Sequence, residues 1–346
     1  MIIKNVCVLG GSGFVGTYVV SQLVEKGYKV RVLTRKRERS KDLIVLPTVE
    51  VVEANIHDER VLNKQFEGMD AVINLVGILH ERNCHSSRVD KPQARRGDFH
   101  ENHVELPRKI VHACAINQVP RLLHMSALGA EPTADSGYLR SKGIGEHLVR
   151  EAGLPDSKHE NWYLNGPKFI RGQGMAVTIF RPSVIFGRGD SFVSKFAGLI
   201  KSFPILPLAG AGAKFQPVFV EDVANAFVSS LNNLETFGKT YELCGPKVYT
   251  LKEIMELVMD ITGKKRSIIP LCPRLSYVQA LILENLPGKM MTRDNLLSMQ
   301  VDNVCGCDFP AVFGGKPAAM EAILPSYLGG ENPRERYMDL RENAGR

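Results

Sequence analysis

Gly10-Gly11-Ser12-Gly13-Phe14-Val15-Gly16 decides how this chain is read. The stretch fits G-x-x-G-x-x-G through Gly10, Gly13 and Gly16. It also fits G-x-G-x-x-G through Gly11, Gly13 and Gly16. An apolar run, Asn5–Leu9, comes before it. After it, Val15, Val19, Val20, Leu23 and Val24 recur at helical spacing up to Lys26. A strand running through glycines into a helix is the context a dinucleotide cradle needs. Glycine serves there for the tight turn, for close approach of the backbone to a pyrophosphate, and for packing helix on strand. The helix start then offers free N–H groups and a partial positive charge to phosphate. Gly10, Gly11, Ser12, Gly13, Phe14, Val15 and Gly16 are therefore the first candidate cofactor-binding residues.

Outward from this turn, short β runs alternate with helical patterns. Lys29–Leu33, Val49–Glu53, Asp70–Leu75, Arg121–Ser126 and Ala176–Phe180 read as strands. Val61–Phe66, Val104–Ile116 and Gly137–Glu151 read as helices between them. Strands separated by helices predict right-handed crossovers and a parallel sheet covered on both faces, an α/β fold of the doubly wound Rossmann kind. Beyond Arg181 the pattern loosens. Phe192–Lys201 reads as a helix, Pro204–Gly212 as a Pro/Gly-rich loop and Phe215–Phe219 as a strand. Helices are expected at Val220–Leu231, Leu251–Thr262 and Ser276–Leu286, with a strand at Thr240–Cys244. The division expected is a dinucleotide-binding domain over 1–187 completed by 213–245, a smaller α/β lobe over the cleft from 188–212 and 246–328, and a mobile polar tail at 329–346. Asn83–Asp98 and Leu154–Gly174 read as long loops.

The end of the second strand bears on which dinucleotide is held. An acidic residue about 20 positions past the glycines holds the ribose hydroxyls of NAD. This chain has Thr34-Arg35-Lys36-Arg37 there, and the Arg35 guanidinium suits a 2′-phosphate. NADP(H) is expected over NAD(H). Asn55 and Ile56 after the third strand are placed near the adenine, and Val76 and Gly77 after the fourth along the cofactor cleft.

Tyr138 and Lys142 form a Y-x-x-x-K pair on one helix face. An ammonium beside a phenol favours the phenolate, so Tyr138 is the candidate proton donor and Lys142 its tuner and a cofactor ligand. Ser126 ends the fifth strand and either bonds a substrate carbonyl or only finishes that strand. His100 with His103, and His80 with His85, fall short of the three protein ligands a catalytic metal site needs, and read as solvated histidines.

Several motifs in order resemble the extended short-chain dehydrogenase/reductases: the glycine turn, Tyr138-Leu-Arg-Ser-Lys142, Arg181-Pro182-Ser183-Val184-Ile185-Phe186-Gly187, and Pro217-Val218-Phe219-Val220-Glu221-Asp222-Val223. Asn74-Leu-Val-Gly-Ile-Leu79 and Leu206-Pro-Leu look closer to one atypical branch. That branch holds the dehydrogenase-like accessory subunit of respiratory complex I and its bacterial relatives. The resemblance covers roughly residues 3–265. It implies a doubly wound NADP(H) domain with a small lobe over the cleft, and it adds Pro182 and Val184 to the cofactor residues. Asn102 matches the family's supporting asparagine loosely. The chain departs from the family after Ser126, where Ala127-Leu128-Gly129 follows and no further hydroxyl stands.

Three functions stay open on these grounds. One is an NADPH-dependent oxidoreductase acting on a small-molecule carbonyl or quinone-related substrate. The second is a non-catalytic NADPH-binding accessory protein of a respiratory complex, and the third a nucleotide-sugar epimerase. The net charge of +7 fits an anionic cofactor, and no nucleic-acid motif is present. The N-terminal stretch has no signal-peptide pattern, and no run of 18 apolar residues occurs, so a cytoplasmic protein is expected, with peripheral attachment at the inner face of the membrane as an option. Seven scattered cysteines suggest reduced thiols. The Ser276–Leu286 helix reads as lid or core of the small lobe, or as an interfacial anchor.

Overall fold

The structure is a computed structural model that describes residues 3–81, 97–153, 175–285 and 291–329. The expected loop Asn83–Asp98 up to residue 96, the whole of 154–174 and the tail beyond 329 lie outside the described residues, while Asp98 opens a short helix.

In chain order the elements begin β1 (Asn5–Leu9), α1 (Phe14–Glu25), β2 (Lys29–Thr34), α2 (Lys41–Ile44), β3 (Val49–Glu53), α3 (Glu59–Phe66) and β4 (Ala71–Asn74). Next are α4 (Asp98–His100), α5 (Leu106–Ile116), β5 (Arg121–Met125), α6 (Gly137–Ala152), β6 (Ala176–Pro182), β7 (Ile185–Phe186), α7 (Val193–Ser202) and β8 (Ile205–Leu208). The chain continues through β9 (Lys214–Phe215), β10 (Val218–Phe219), α8 (Val220–Ser230), β11 (Lys239–Leu243), β12 (Tyr249–Thr250) and α9 (Leu251–Thr262). The last are β13 (Ser267–Pro270), α10 (Pro273–Glu284), α11 (Arg293–Ser298), α12 (Met320–Ile323) and α13 (Pro325–Leu328).

Seven strands form one sheet in the order β3-β2-β1-β4-β5-β6-β11, every pair parallel. Val8 of β1 pairs with Val32 on one side and with Ile73 on the other. The strand order therefore reverses at β1 and β4, the switch point where ligands of doubly wound sheets bind. The central strands are apolar runs because helices cover both faces; all four residues of β4 are buried. One helix-side core joins Cys7, Leu62, Phe66, Leu106, Ile110 and Val149. Each call of a strand or helix up to β6 has its element, with boundaries moved by a few residues. One such shift extends α3 back to Glu59, where the Asp58 carboxylate caps the helix by accepting the Arg60 N–H at 2.9 Å.

The chain divides into two compact units. The first comprises Met1–Pro182, Glu221–Leu243 and Pro310–Gly315. Its Glu221–Leu243 segment is bound to the sheet by Arg121, fully buried in β5. That guanidinium donates to the Ala176 and Ser230 carbonyls, each at 2.9 Å, and to Thr178 Oγ1 at 2.7 Å.

The second unit comprises Ser183–Val220, Cys244–Phe309 and Lys316–Arg346, so 183–187 and 213–220 group with it. Its core packs α7, α9 and the α12–α13 region around Phe186, Ile200, Ile254 and Met320. Two expectations are corrected here. The single strand Phe215–Phe219 is two short strands: β9 pairs antiparallel with β12, and β10 pairs parallel with β7. Pro217 lies between them and has no N–H to continue a ladder. The Pro204–Gly212 loop contains β8, which pairs with β13. The cysteines are corrected too: Cys244 and Cys305 are joined in a disulfide, a pairing of residues 61 apart in sequence.

Candidate functional site

The glycine turn sits where β1 ends. Gly10 has φ of 79°, and a Cβ there would meet the Leu75 carbonyl carbon at 3.1 Å and the Val76 nitrogen at 3.2 Å. The turn is therefore pressed against the end of β4. A Cβ on Gly16 would lie 2.2 Å from the Gly10 oxygen, so α1 can start this close to β1 only with glycine there. Gly11 is buried against Val32, while Ser12 and Gly13 are exposed. Ser12 and Thr34 hydroxyls lie 3.3 Å apart. Gly13 caps α1 without a side-chain hydrogen bond, and the first turn of α1 carries no acidic residue. The leading N–H groups of Phe14, Val15 and Gly16 thus meet no side-chain acceptor at the cap and no carboxylate on the first turn. This is the arrangement a pyrophosphate requires.

Arg35 is exposed directly after β2. Asn55 is exposed, with Oδ1 accepting the His57 N–H at 3.1 Å, and Ile56 is buried at the end of the β3 connection. After β4, Asn74 Oδ1 accepts the Val76 N–H at 3.1 Å and holds that turn in shape.

Gly77 brings the second half of the site to the first. A Cβ at Gly77 would stand 3.2 Å from Lys142 Nζ and 3.9 Å from His103 Nε2. Lys142 is buried in α6 and donates to the Met125 carbonyl at 2.9 Å. Burial lowers its pKa to about 8, against the opposing pull of Glu146. Tyr138 lies one turn earlier on α6 and is half-buried. Its ring meets His103 edge-on at 5.6 Å and Phe99 at 6.0 Å.

Ser126 is buried at the end of β5, and its hydroxyl donates to Glu146 Oε2 at 2.7 Å. Glu146 is buried and also accepts from Arg181 at 2.8 Å and from Arg150. Asn102 donates to the Asp98 carbonyl at 2.7 Å, within the wider helical turn Glu101–Glu105 that leads into α5. Pro182 ends β6, where its carbonyl accepts the Leu128 N–H at 3.0 Å. Val184 belongs to the second unit, where its N–H donates to Asn303 Oδ1 at 3.0 Å.

The reading of His103 as solvated is corrected. It is 2% exposed, Nε2 accepts the Ile78 N–H at 3.0 Å, and Nδ1 lies 2.9 Å from Ser141 Oγ. With Nε2 accepting, the proton sits on Nδ1 and is donated to Ser141, which donates to the Tyr138 carbonyl at 2.9 Å. Burial first, then the Lys142 charge, drive the His103 pKa down to about 2. The imidazole is thus a neutral peg between the β4 turn and α6. Only Asn102 next to it hinted at this position. Among the described residues no group of three or more His, Cys, Asp or Glu could hold a metal ion.

Residues 6–244 match the NAD dependent epimerase/dehydratase family. The chain belongs to that family. Its relatives include a Dictyostelium discoideum protein, mitochondrial NADH dehydrogenase [ubiquinone] 1 alpha subcomplex subunit 9. The two are 28% identical over 85% of this chain and 74% of the relative. The family fold is shared with a double mutant of the dTDP-glucose 4,6-dehydratase of Streptomyces venezuelae, solved with NAD, at a TM-score of 0.67 and 20% identity over 93% of this chain and 95% of that one. It is shared likewise with an NADPH-dependent quinone oxidoreductase of Escherichia coli, solved with NADPH, at a TM-score of 0.65 and 17% identity over 93% and 99%. No described helix is long and apolar enough to cross a membrane.

Proposed function

We propose that this chain binds a nicotinamide dinucleotide, NADP(H) in preference to NAD(H), and uses it to reduce a carbonyl or quinone-related small molecule. The observation that carries the reading is one run of contacts along the strand ends. Gly10 presses on Leu75 and Val76, and the next residue, Gly77, faces Lys142, one turn from Tyr138. The cradle and the proton-transfer pair therefore share one edge of the sheet. The dinucleotide, when bound, supplies the hydride. Tyr138 delivers the proton to the substrate oxygen, and the Lys142 ammonium stabilises the phenolate left behind. Arg35 supports the phosphorylated cofactor, while the shared fold, found in both an NAD-bound and an NADPH-bound protein, supports a nicotinamide dinucleotide of either kind.

The test is titration with NADPH and NADH, then NADPH oxidation against a panel of quinones and ketones. Tyr138→Phe is expected to abolish oxidation and leave NADPH affinity nearly unchanged. Full turnover by that variant overturns the chemistry.

A second reading has its own support. The Ser126 hydroxyl is committed to Glu146, Ala127-Leu128-Gly129 offers no substitute, and the Dictyostelium relative is named as a subunit of NADH dehydrogenase. Here the chain holds NADPH as an accessory or assembly protein of a respiratory complex. A deletion strain decides between the two: the accessory reading requires Tyr138→Phe to restore function fully and Gly16→Ala to fail. Co-purification of respiratory subunits would name the partner. The epimerase reading is disfavoured by Arg35, since a bound NAD recycled in place calls for an acidic residue there.

A further inference from the structure

The second unit carries a helix whose outer face is apolar. α10 buries only Ser276 and Ala280. Leu275, Tyr277, Val278, Leu281 and Ile282 stand 40–57% exposed. At 3.6 residues per turn these five span an arc of about 160°, opposite the two buried residues. The helix is fastened in this orientation, since Gln279 Nε2 donates to the Pro207 carbonyl of β8 at 2.8 Å. The β8–β13 ribbon it fastens to exposes Ile205 at 53% and Ile269 at 49%. Contiguous outward apolar side chains of this kind mark an interaction surface.

Charge selects the partner. Lys264 and Lys265 are exposed in the turn entering β13, and Arg274 is exposed in the middle of the outer arc of α10. The sole carboxylate of α10, Glu284, is held by Arg293 at 2.7 Å. An apolar helix face with an arginine at its centre, two exposed lysines in the turn before β13 and its one carboxylate engaged matches the acyl–headgroup boundary of an anionic bilayer. A second copy fits worse, because pairing through α10 would bury Arg274 among apolar groups with the helix's own carboxylate already engaged. At a bilayer the same arginine buries its stem and keeps its head at the phosphates.

We propose that the second unit docks on an anionic lipid surface through the outer face of α10, with Lys264, Lys265 and Arg274 at the headgroups. The attachment is peripheral and independent of the cofactor chemistry.

The test is co-sedimentation of the full chain, without cofactor, with vesicles of phosphatidylcholine alone or with about one third phosphatidylglycerol. Partitioning to the anionic vesicles is expected to be roughly tenfold stronger and to weaken as salt rises. The double variant L281Q/I282Q is expected to lose roughly tenfold in partitioning to either vesicle. K264E/K265E should lose only the anionic preference. Both pairs are exposed, so circular dichroism and melting should be unchanged. Wild-type partitioning that L281Q/I282Q leaves intact overturns the proposal, as does absence of binding to both vesicles. A dimer in light scattering that L281Q/I282Q dissociates would instead assign the face to a second copy, and equally overturns it.

Discussion

Ser126 donates its hydroxyl to the buried carboxylate of Glu146 at 2.7 Å, and the same carboxylate receives Arg181 at 2.8 Å. Strand β5, helix α6 and strand β6 are thereby tied at one point. Ser126→Ala should cost about 1.5–2 kcal/mol of stability, the lower end of the worth of a hydrogen bond to a charged acceptor. It should leave NADPH affinity within about threefold, well under 1 kcal/mol. Glu146→Ala should cost more, about 2–3 kcal/mol, tempered because Arg181 and Arg150 can turn toward water. Thermal melts and cofactor titrations check both. A Ser126→Ala protein that melts normally but loses all turnover would put Ser126 back at the substrate.

Gly16 and Gly13 separate packing from ligand contact. A Cβ at Gly16 runs into the Gly10 oxygen at 2.2 Å and Gly11 Cα at 2.6 Å, both backbone. Gly16→Ala should destabilise by about 3 kcal/mol and abolish dinucleotide binding, since the turn cannot move without moving β1. At Gly13 the sole close neighbour is the Gly10 oxygen at 3.2 Å. Gly13→Ala should melt within a few degrees of the parent while losing affinity. Unimpaired NADPH binding by Gly16→Ala would refute the cradle.

Arg35 is exposed at the end of β2, free to close on a phosphate. Arg35→Asp should shift the NADPH-to-NADH affinity ratio by at least about tenfold toward NADH, roughly one ionic hydrogen bond plus repulsion. Parallel calorimetric titrations measure it. An Arg35→Asp variant with improved NADP binding would refute the cofactor assignment.

His103 and His124 give the fold an acid limit. Burial, with the Lys142 charge second, lowers His103 to about 2 and His124 to about 3 from an ordinary value of 6.5. Below pH 6.5 the unfolded chain takes up protons that the folded chain refuses. Stability is therefore whole above that pH and falls as the solution is acidified toward pH 3. The slope approaches about 1.4 kcal/mol per pH unit for each histidine. Lys142, lowered from 10.5 to about 8, has the same sign in an alkaline window: stability rises between those values. Urea midpoints against pH check this. His124→Asn should flatten the acid limb by about one proton's slope, and equal slopes in variant and parent would contradict it.

The Cys244–Cys305 bond closes a long loop within the second unit, and the Cys305 N–H donates to Gln216 Oε1 at 3.0 Å. For a separation of 61 residues, chain entropy puts its contribution at about 4 kcal/mol. Dithiothreitol, or Cys305→Ser, should lower the melting temperature by several degrees, and thiol counting should find the Cys244 and Cys305 thiols only after reduction. Seven free thiols in the native protein would dismiss the bond.

What the sequence determined by itself is local. The glycine turn, the strand–helix alternation up to β6, Arg35 after β2 and the Tyr138–Lys142 spacing are each written within one turn, strand or helix, where sterics and periodicity act over a few residues. Tertiary structure alone decided what those residues meet. Ser126 finds Glu146 twenty positions on, His103 becomes a buried peg between Ile78 and Ser141, and Cys244 reaches Cys305. β8, within a stretch that reads as loop, pairs with β13, and α10 turns Leu275, Leu281 and Ile282 outward. A hydroxyl, an imidazole or a leucine carries no mark of whether it will face water, a carboxylate or a core. That choice belongs to partners brought together by chain closure over tens of residues, and the sequence pattern around each group does not encode them.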